Sequence, residues 1–184
     1  MTDSVAELQE VPLREQWPDE EAEFTPWLAN HISFLEDVLG MGLEVQDTEA
    51  NVGRFFADIH ATDLEGERNI VIENQYSRTD HKHLGQSLVY AGGFEADIVV
   101  WIAEEFDDAH IDAIQWMNDR TGVETSLIGV EVGLVRIGDS PVAPTFNIIE
   151  KPSQWKEQIE EIGLSETDRE HLRFWTQFDE RAEE

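Results

Sequence analysis

The sequence predicts an α/β fold in three layers, with helices on both faces of a central mixed sheet, and three observations carry that prediction. Apolar periodicity runs in the order α-β-β-β-α-β-α-β, with helices placed as crossovers between strands. The run D-I-V-V-W-I at 97–102 is almost unbroken in its hydrophobicity, as in a parallel strand covered on both faces. In I-V-I-E-N-Q at 70–75, Ile70, Ile72 and Asn74 alternate with Val71, Glu73 and Gln75, so one face of that strand carries a carboxylate and an amide.

Residues 1–23 are acidic, irregular in pattern and interrupted by Pro12 and Pro18, and they read as an arm packed through Leu13 and Trp17. Thr25 reads as an N-cap with Pro26 at the first helical position, opening P-W-L-A-N-H-I-S-F-L-E-D-V-L-G. Trp27, Leu28, Ile32, Leu35 and Leu39 recur there at helical spacing, and Gly40 and Gly42 end the helix. Strands follow at 43–48, 53–61 and 69–75, the last two joined by a D-L-E-G-E turn. A helix is predicted from Thr79 or Asp80, with Asp80 as the N-cap, and Gly92 and Gly93 stop it. A buried strand at 96–103 and a helix burying Ile111, Ile114 and Met117 come next, then strands at 126–137 and 143–149. Past Pro152 the chain becomes a charged helical tail with Leu172, Trp175 and Phe178 at helical spacing. The organisation expected is an arm (1–23), one domain (24–152) and a tail (153–184).

Forty-one Asp and Glu against twelve Lys and Arg give a formal charge of −29, and only three of the cations, Lys82, Lys151 and Lys156, are lysines. A dispersed acidic surface poor in lysine fits adaptation to molar intracellular salt, as in halophilic organisms. At about 1 M salt the screening length is about 3 Å, so this charge does not keep a nucleic acid from a local site. With no cysteine there is no disulfide, thiol nucleophile or cysteine-based zinc site. The first residues lack the basic and apolar regions of a signal peptide, no run is long and apolar enough to span a bilayer, and a cytoplasmic protein is expected.

The chemistry sits in V-G-R-F-F-A-D-I-H and N-I-V-I-E-N-Q, which place Asp58 and Glu73 on neighbouring strands with fourteen residues between them. Hard divalent cations prefer carboxylate oxygens on rigid elements, and a cation beside a phosphodiester activates water and neutralises phosphate charge. Glu73 lies in an otherwise apolar strand, where a buried carboxylate is costly without a cation or partner. Arg78, His81, Lys82 and His83 follow directly and could touch a nucleic-acid backbone. Arg54, Arg68, Arg78 and Lys82 put four of the twelve basic residues between 54 and 82, more than an even spread would. His81 and His83 are two apart and diverge on a helix, which argues against zinc. Trp101, Trp116 and Trp155 read as core or interface anchors. No Gly-x-Ser-x-Gly elbow and no phosphate-binding Gly-rich loop is present, so an acyl hydrolase or nucleoside triphosphatase is disfavoured.

These runs, A-D-I, then I-E-N-Q, then a helix carrying H-x-x-Q, resemble the PD-(D/E)XK nuclease superfamily, whose fold is the restriction-endonuclease-like three-layer core. More closely, W-P-D-E, F-T-P-W-L, V-I-E-N-Q, T-D-H-K-H-L-G-Q, V-V-W-I-A and R-I-G-D-S look like prokaryotic proteins that carry such a region ahead of domain of unknown function 4268. The likeness covers about residues 10 to 155, and L-R-F-W-T-Q-F is similar to the opening of that second region. The resemblance implies a Mg²⁺ or Mn²⁺ site at Asp58 and Glu73. It sets Gln75 at the position of the superfamily lysine and Gln86 at that of a supporting polar residue. It also calls for a first-helix acid, Glu20, Glu23 or Glu36, of which Glu20 fits the closer group best. A glutamine orients and hydrogen-bonds but brings no positive charge. The expected function is a metal-dependent endonuclease acting on DNA, with Asp58, Glu73 and Gln75 catalytic. The alternative is a silent nuclease fold that binds nucleic acid or protein, and a third reading is an oligomerisation or regulatory subunit, in the simplest case a homodimer.

Overall fold

A computed structural model describes residues 6–52, 55–64, 68–121 and 125–162. The chain divides into two units, Met1–Pro152 and Ser153–Glu184. In the second unit the described part is one helix, α6 (Trp155–Ile162); Leu172, Trp175 and Phe178 lie outside the described residues, as does Arg54.

The first unit is the predicted α/β arrangement: a seven-stranded mixed sheet with helices on its faces. Its strands are β1 (Leu8–Val11), β2 (Leu43–Val52), β3 (Phe55–Asp63), β4 (Asn69–Arg78), β5 (Ile98–Glu105), β6 (Ser126–Ile137) and β7 (Ala143–Glu150). The order is β1-β6-β5-β4-β3-β2, with β7 also paired to β6. β5 runs parallel to β4 on one side and β6 on the other, the central position its unbroken hydrophobicity predicts. β2, β3 and β4 form an antiparallel meander.

The helices are α1 (Leu13–Gln16), α2 (Thr25–Asn30), α3 (Ser33–Leu39), α4 (His81–Phe94) and α5 (Asp108–Thr121). Alternation along β4 assigns their layers. Asn74 donates its amide to Thr25 Oγ1 of α2 at 2.9 Å. On the opposite face Val71 packs with Tyr90 of α4, Trp101 of β5 and Ile114 of α5 in one buried cluster. The face assignment made from I-V-I-E-N-Q therefore holds.

Four local expectations change. The arm is not irregular: residues 8–11 form β1, antiparallel to the far end of β6, while Leu13 and Trp17 are buried as expected. Thr25 is not an N-cap, because the preceding residues Glu20–Phe24 already form a wide π-helical turn capped by Asp19, whose carboxylate accepts the Ala22 N–H at 2.7 Å. The single helix expected from Thr25 is two, interrupted at His31 and Ile32, with the His31 ring turned back to the Trp27 carbonyl and stacked on Trp27. Finally, α4 runs through Gly92 and Gly93 and ends at Glu95 in the left-handed region, φ 50°, whereas Gly40 does end α3 with φ 75°. Strand ends also extend past the predictions, to Val52 in β2, Asp63 in β3 and Arg78 in β4. Asp80 caps α4 as predicted, accepting the His83 N–H at 2.9 Å. Trp101 is a core residue, but Trp116 is 56% exposed with the Arg120 guanidinium over its ring. No described helix is long and apolar enough to cross a membrane.

Candidate metal centre

The ladder between β3 and β4 ends at the pair Ile59 and Ile72, and the next residue on each strand is Asp58 and Glu73. Directly opposed residues of an antiparallel pair point to the same face, so continuing the register brings these two carboxylates together. Beyond that point β4 has N–H groups without a β3 carbonyl, and buried donors need partners. Asp58 Oδ2 accepts the Asn74 N–H at 2.6 Å. Two residues on, the Tyr76 N–H goes to Oε2 of Glu20, which the π-helical turn brings in from the opposite layer. The divergence of two strands thus leaves Asp58 and Glu20 bonded to the β4 backbone just past Glu73, at Asn74 and Tyr76.

Of the three first-region acids considered, Glu20 is the one that reaches this strand. Glu23 accepts the Asp19 N–H at 3.0 Å and Glu36 accepts the Leu43 N–H at 2.7 Å, both closing local turns.

Glu73 is 3% exposed, and its Oε2 has no hydrogen-bond donor. Burial, and after it the neighbouring Asp58 and Glu20 carboxyls, push Glu73 up to about 9, with the Lys82 ammonium of α4 acting in the opposite sense. Burial likewise raises Asp58 to about 7; the Asn74 N–H pulls it down, and Glu20, Glu49 and Glu21 add to the rise. Glu20 is raised as well, by burial first, against the Tyr76 N–H and the charges of His83 and Arg14. Three carboxyls that repel one another in a dry site are what a divalent cation would relieve. Among the described residues no three His, Asp or Glu side chains already converge as a ligand set, since Asp58 and Glu20 each direct an oxygen at β4 backbone. Each still has a second carboxylate oxygen to offer.

Gln75 shares a face with Glu73, yet its amide is fully committed elsewhere. Nε2 donates to the Arg78 carbonyl at 2.8 Å and lies 3.2 Å from both Ser77 Oγ and Asp80 Oδ2, while Oε1 accepts the Trp101 indole N–H at 3.2 Å. It ties the end of β4 to the start of α4.

The residues expected to meet nucleic acid separate into two groups. Arg78 turns toward the end of β5, pairing with Asp107 at 2.6 Å and Glu105 at 3.4 Å. His81 Nδ1 sits 2.8 Å from Nε2 of His110, whose Nδ1 is 2.8 Å from Thr79 Oγ1. Lys82, His83 and Gln86 belong to the carboxylate side. Lys82 is exposed and acts on Glu73, and His83 acts on Glu20. Gln86 donates to Tyr90 Oη at 3.0 Å and leaves its own buried Oε1 without a partner.

Sequence reasoning missed Tyr90, whose hydroxyl is raised by burial, against the Gln86 hydrogen bond, and further by Glu73 and Asp58. It also missed Glu49, on β2 at φ 56°, whose charge reaches both Asp58 and Glu73. Tyr90 looks like an ordinary core aromatic and Glu49 like one more surface acid, so no local pattern marks either.

No family model matches the chain, so the likeness to proteins carrying domain of unknown function 4268 finds no support there, and no curated protein sequence matches it. Among solved structures, the crystal structure of a repair endonuclease from Pyrococcus abyssi is similar with a TM-score of 0.44 and 13% identity, over 56% of this chain and 44% of that one. The chain thus spans less than half of that endonuclease, and at this level the likeness bears on neither activity nor site.

Proposed function

We propose that this chain is a metal-dependent endonuclease-like protein that hydrolyses phosphodiester bonds of nucleic acid, DNA in the first instance. The observation that carries the reading is Glu73 Oε2, a buried carboxylate oxygen with no donor, opposite Asp58 and within the field of Glu20. The likeness of A-D-I and I-E-N-Q to the PD-(D/E)XK pattern supports it.

Asp58, Glu73 and Glu20 would hold Mg²⁺ or Mn²⁺. When bound, the cation would polarise the phosphoryl oxygen and acidify water. Asp58 and Glu20 keep their places through the Asn74 and Tyr76 N–H groups. Lys82, at the exposed start of α4, would fix a phosphate beside Glu73. Burial of Glu73 excludes bulk water, so charges there act through a weaker dielectric than at the surface.

Incubating the protein with plasmid, single-stranded DNA and RNA in molar KCl with Mg²⁺ or Mn²⁺ tests this. Cleavage should appear and fall by at least about 10³-fold in Asp58→Ala, since that change removes a ligand of the activating ion. No metal-dependent cleavage of any of the three would contradict it.

The second reading, a catalytically silent fold that binds nucleic acid or protein, is favoured by the commitment of the Gln75 amide to Arg78, Asp80 and Trp101. Binding without cleavage, unchanged by Glu73→Ala, would select it.

A further inference from the structure

Hydrolysis needs a group to receive the proton of the attacking water, and the residues around Glu73 differ in their ability to do so. Gln75 has a non-basic amide nitrogen, and its carbonyl oxygen already accepts from Trp101. Carboxylates that hold a cation have their basicity drawn down by it. Lys82 is a donor. The imidazole of His83, on the first turn of α4, is a basic nitrogen that acts on the Glu20 carboxyl.

Its state follows from its partners. Asp80 Oδ1 accepts the His83 backbone N–H at 2.9 Å and lies 2.9 Å from His83 Nδ1. Burial tends to raise Asp80, but the hydrogen bonds from His83 backbone and ring outweigh it and hold the carboxyl below its ordinary value. An ionised carboxylate only accepts, so Nδ1 carries the hydrogen, and in the neutral ring Nε2, on the far side, has the lone pair. Asp80 is itself fixed through Oδ2 by Gln75 Nε2 at 3.2 Å. The ring is 19% exposed, and in its protonated form it lowers the Glu20 carboxyl, ahead of Arg14.

We infer that Asp80 and His83 form a dyad in which His83 Nε2 takes the proton of the attacking water, with Gln75 as the positioning residue behind Asp80. This rests on the hydrolytic reading above. In the step, the water oxygen forms a bond to phosphorus as its proton passes to Nε2. The opposite P–O bond breaks, its electron pair stays on the departing oxygen, and that oxygen takes a proton from solvent. His83 then returns its proton to solvent, so water plus diester give a monoester and an alcohol.

The test compares wild type, His83→Gln, His83→Ala and Asp80→Asn in molar KCl with Mn²⁺. The His83 substitutions keep the backbone N–H that Asp80 caps, so α4 retains its start. His83→Gln should lower kcat about 10²-fold with KM and Mn²⁺ affinity unchanged, and should flatten the acid limb of the pH–rate profile. Imidazole in the buffer should restore part of the rate to His83→Ala, and Asp80→Asn should fall between. In the metal-free protein, ¹⁵N spectra should show His83 protonated at Nδ1. Cleavage by wild type with an unaltered rate or an intact acid limb in His83→Gln overturns the dyad and leaves the hydrolytic reading standing, and an Nε2–H tautomer overturns the dyad by itself. Absence of cleavage by wild type overturns both.

Discussion

Glu73 and Gln75 are two residues apart on one face of one strand, equally buried, and their surroundings are opposite. Gln75 has a partner for every polar atom, drawn from Arg78, Ser77, Asp80 and Trp101. The network continues through Thr79, which receives the Asp107 N–H at 3.0 Å, to His110 and His81, and so joins the starts of α4 and α5. Glu73 is near two further carboxyls, and its own Oε2 has no donor. A buried polar group with all its hydrogen bonds made specifies structure, whereas one left without them costs stability. Two steps along β4 separate an amide whose polar atoms are all bonded from a buried carboxylate with an oxygen that has no partner among the described residues.

The sharpest way to break that contrast is Gln75→Lys, which puts an ammonium where the amide makes its bonds. The ammonium would leave the Trp101 N–H without an acceptor in a buried site. We expect a loss of about 3 kcal/mol or more in chemical unfolding, and no gain in cleavage. A lysine accepted there without loss would show that the network is not structural.

Glu73→Gln should have the opposite sign. Because the carboxyl is pushed from 4.5 to about 9 in the fold, its favourable contribution is complete below about pH 4.5 and is lost as pH rises toward 9. The amide has no charge to lose, so the variant should match wild type near pH 4 and exceed it by a margin that widens as pH rises to 9, while abolishing cleavage. Thermal unfolding of the pair across that range measures the gap. Asp58→Asn should behave likewise by a smaller margin over a lower window, from about pH 4 to pH 7, because its shift is smaller.

At the weak end, Arg78→Ala should change stability by less than about 1 kcal/mol, since its pairs with Glu105 and Asp107 are exposed. A larger loss would place Arg78 inside the structural network.

Some of this contrast was legible in the chain. Glu73 interrupts an apolar alternating strand, which marks it before any coordinates, and the alternation also gave the faces of β4. Asp80 announced the start of α4 because capping is a local matter. Other features depend on partners far away in sequence. The hold on the Gln75 amide is not visible in the chain, because its indole partner Trp101 lies on β5. W-P-D-E already favoured Glu20 over Glu23 and Glu36, but the π-helical turn that brings Glu20 to β4 is marked by no periodicity. β1 escaped notice because it is four residues long, three of them exposed, and it acquires strand character only by pairing with β6. His110 sat in an amphipathic helix with nothing to link it to His81.

The most direct test of a cation site at Glu73 is calorimetric titration of Mn²⁺ at pH 7 in two buffers of different ionisation enthalpy, with molar KCl throughout. Carboxyls held up to about 7 and about 9 must lose protons to bind the ion, so one ion per chain should bind with release of about one to two protons, and Glu73→Gln should abolish it. Binding without proton release, or binding that survives Glu73→Gln, would contradict the assignment.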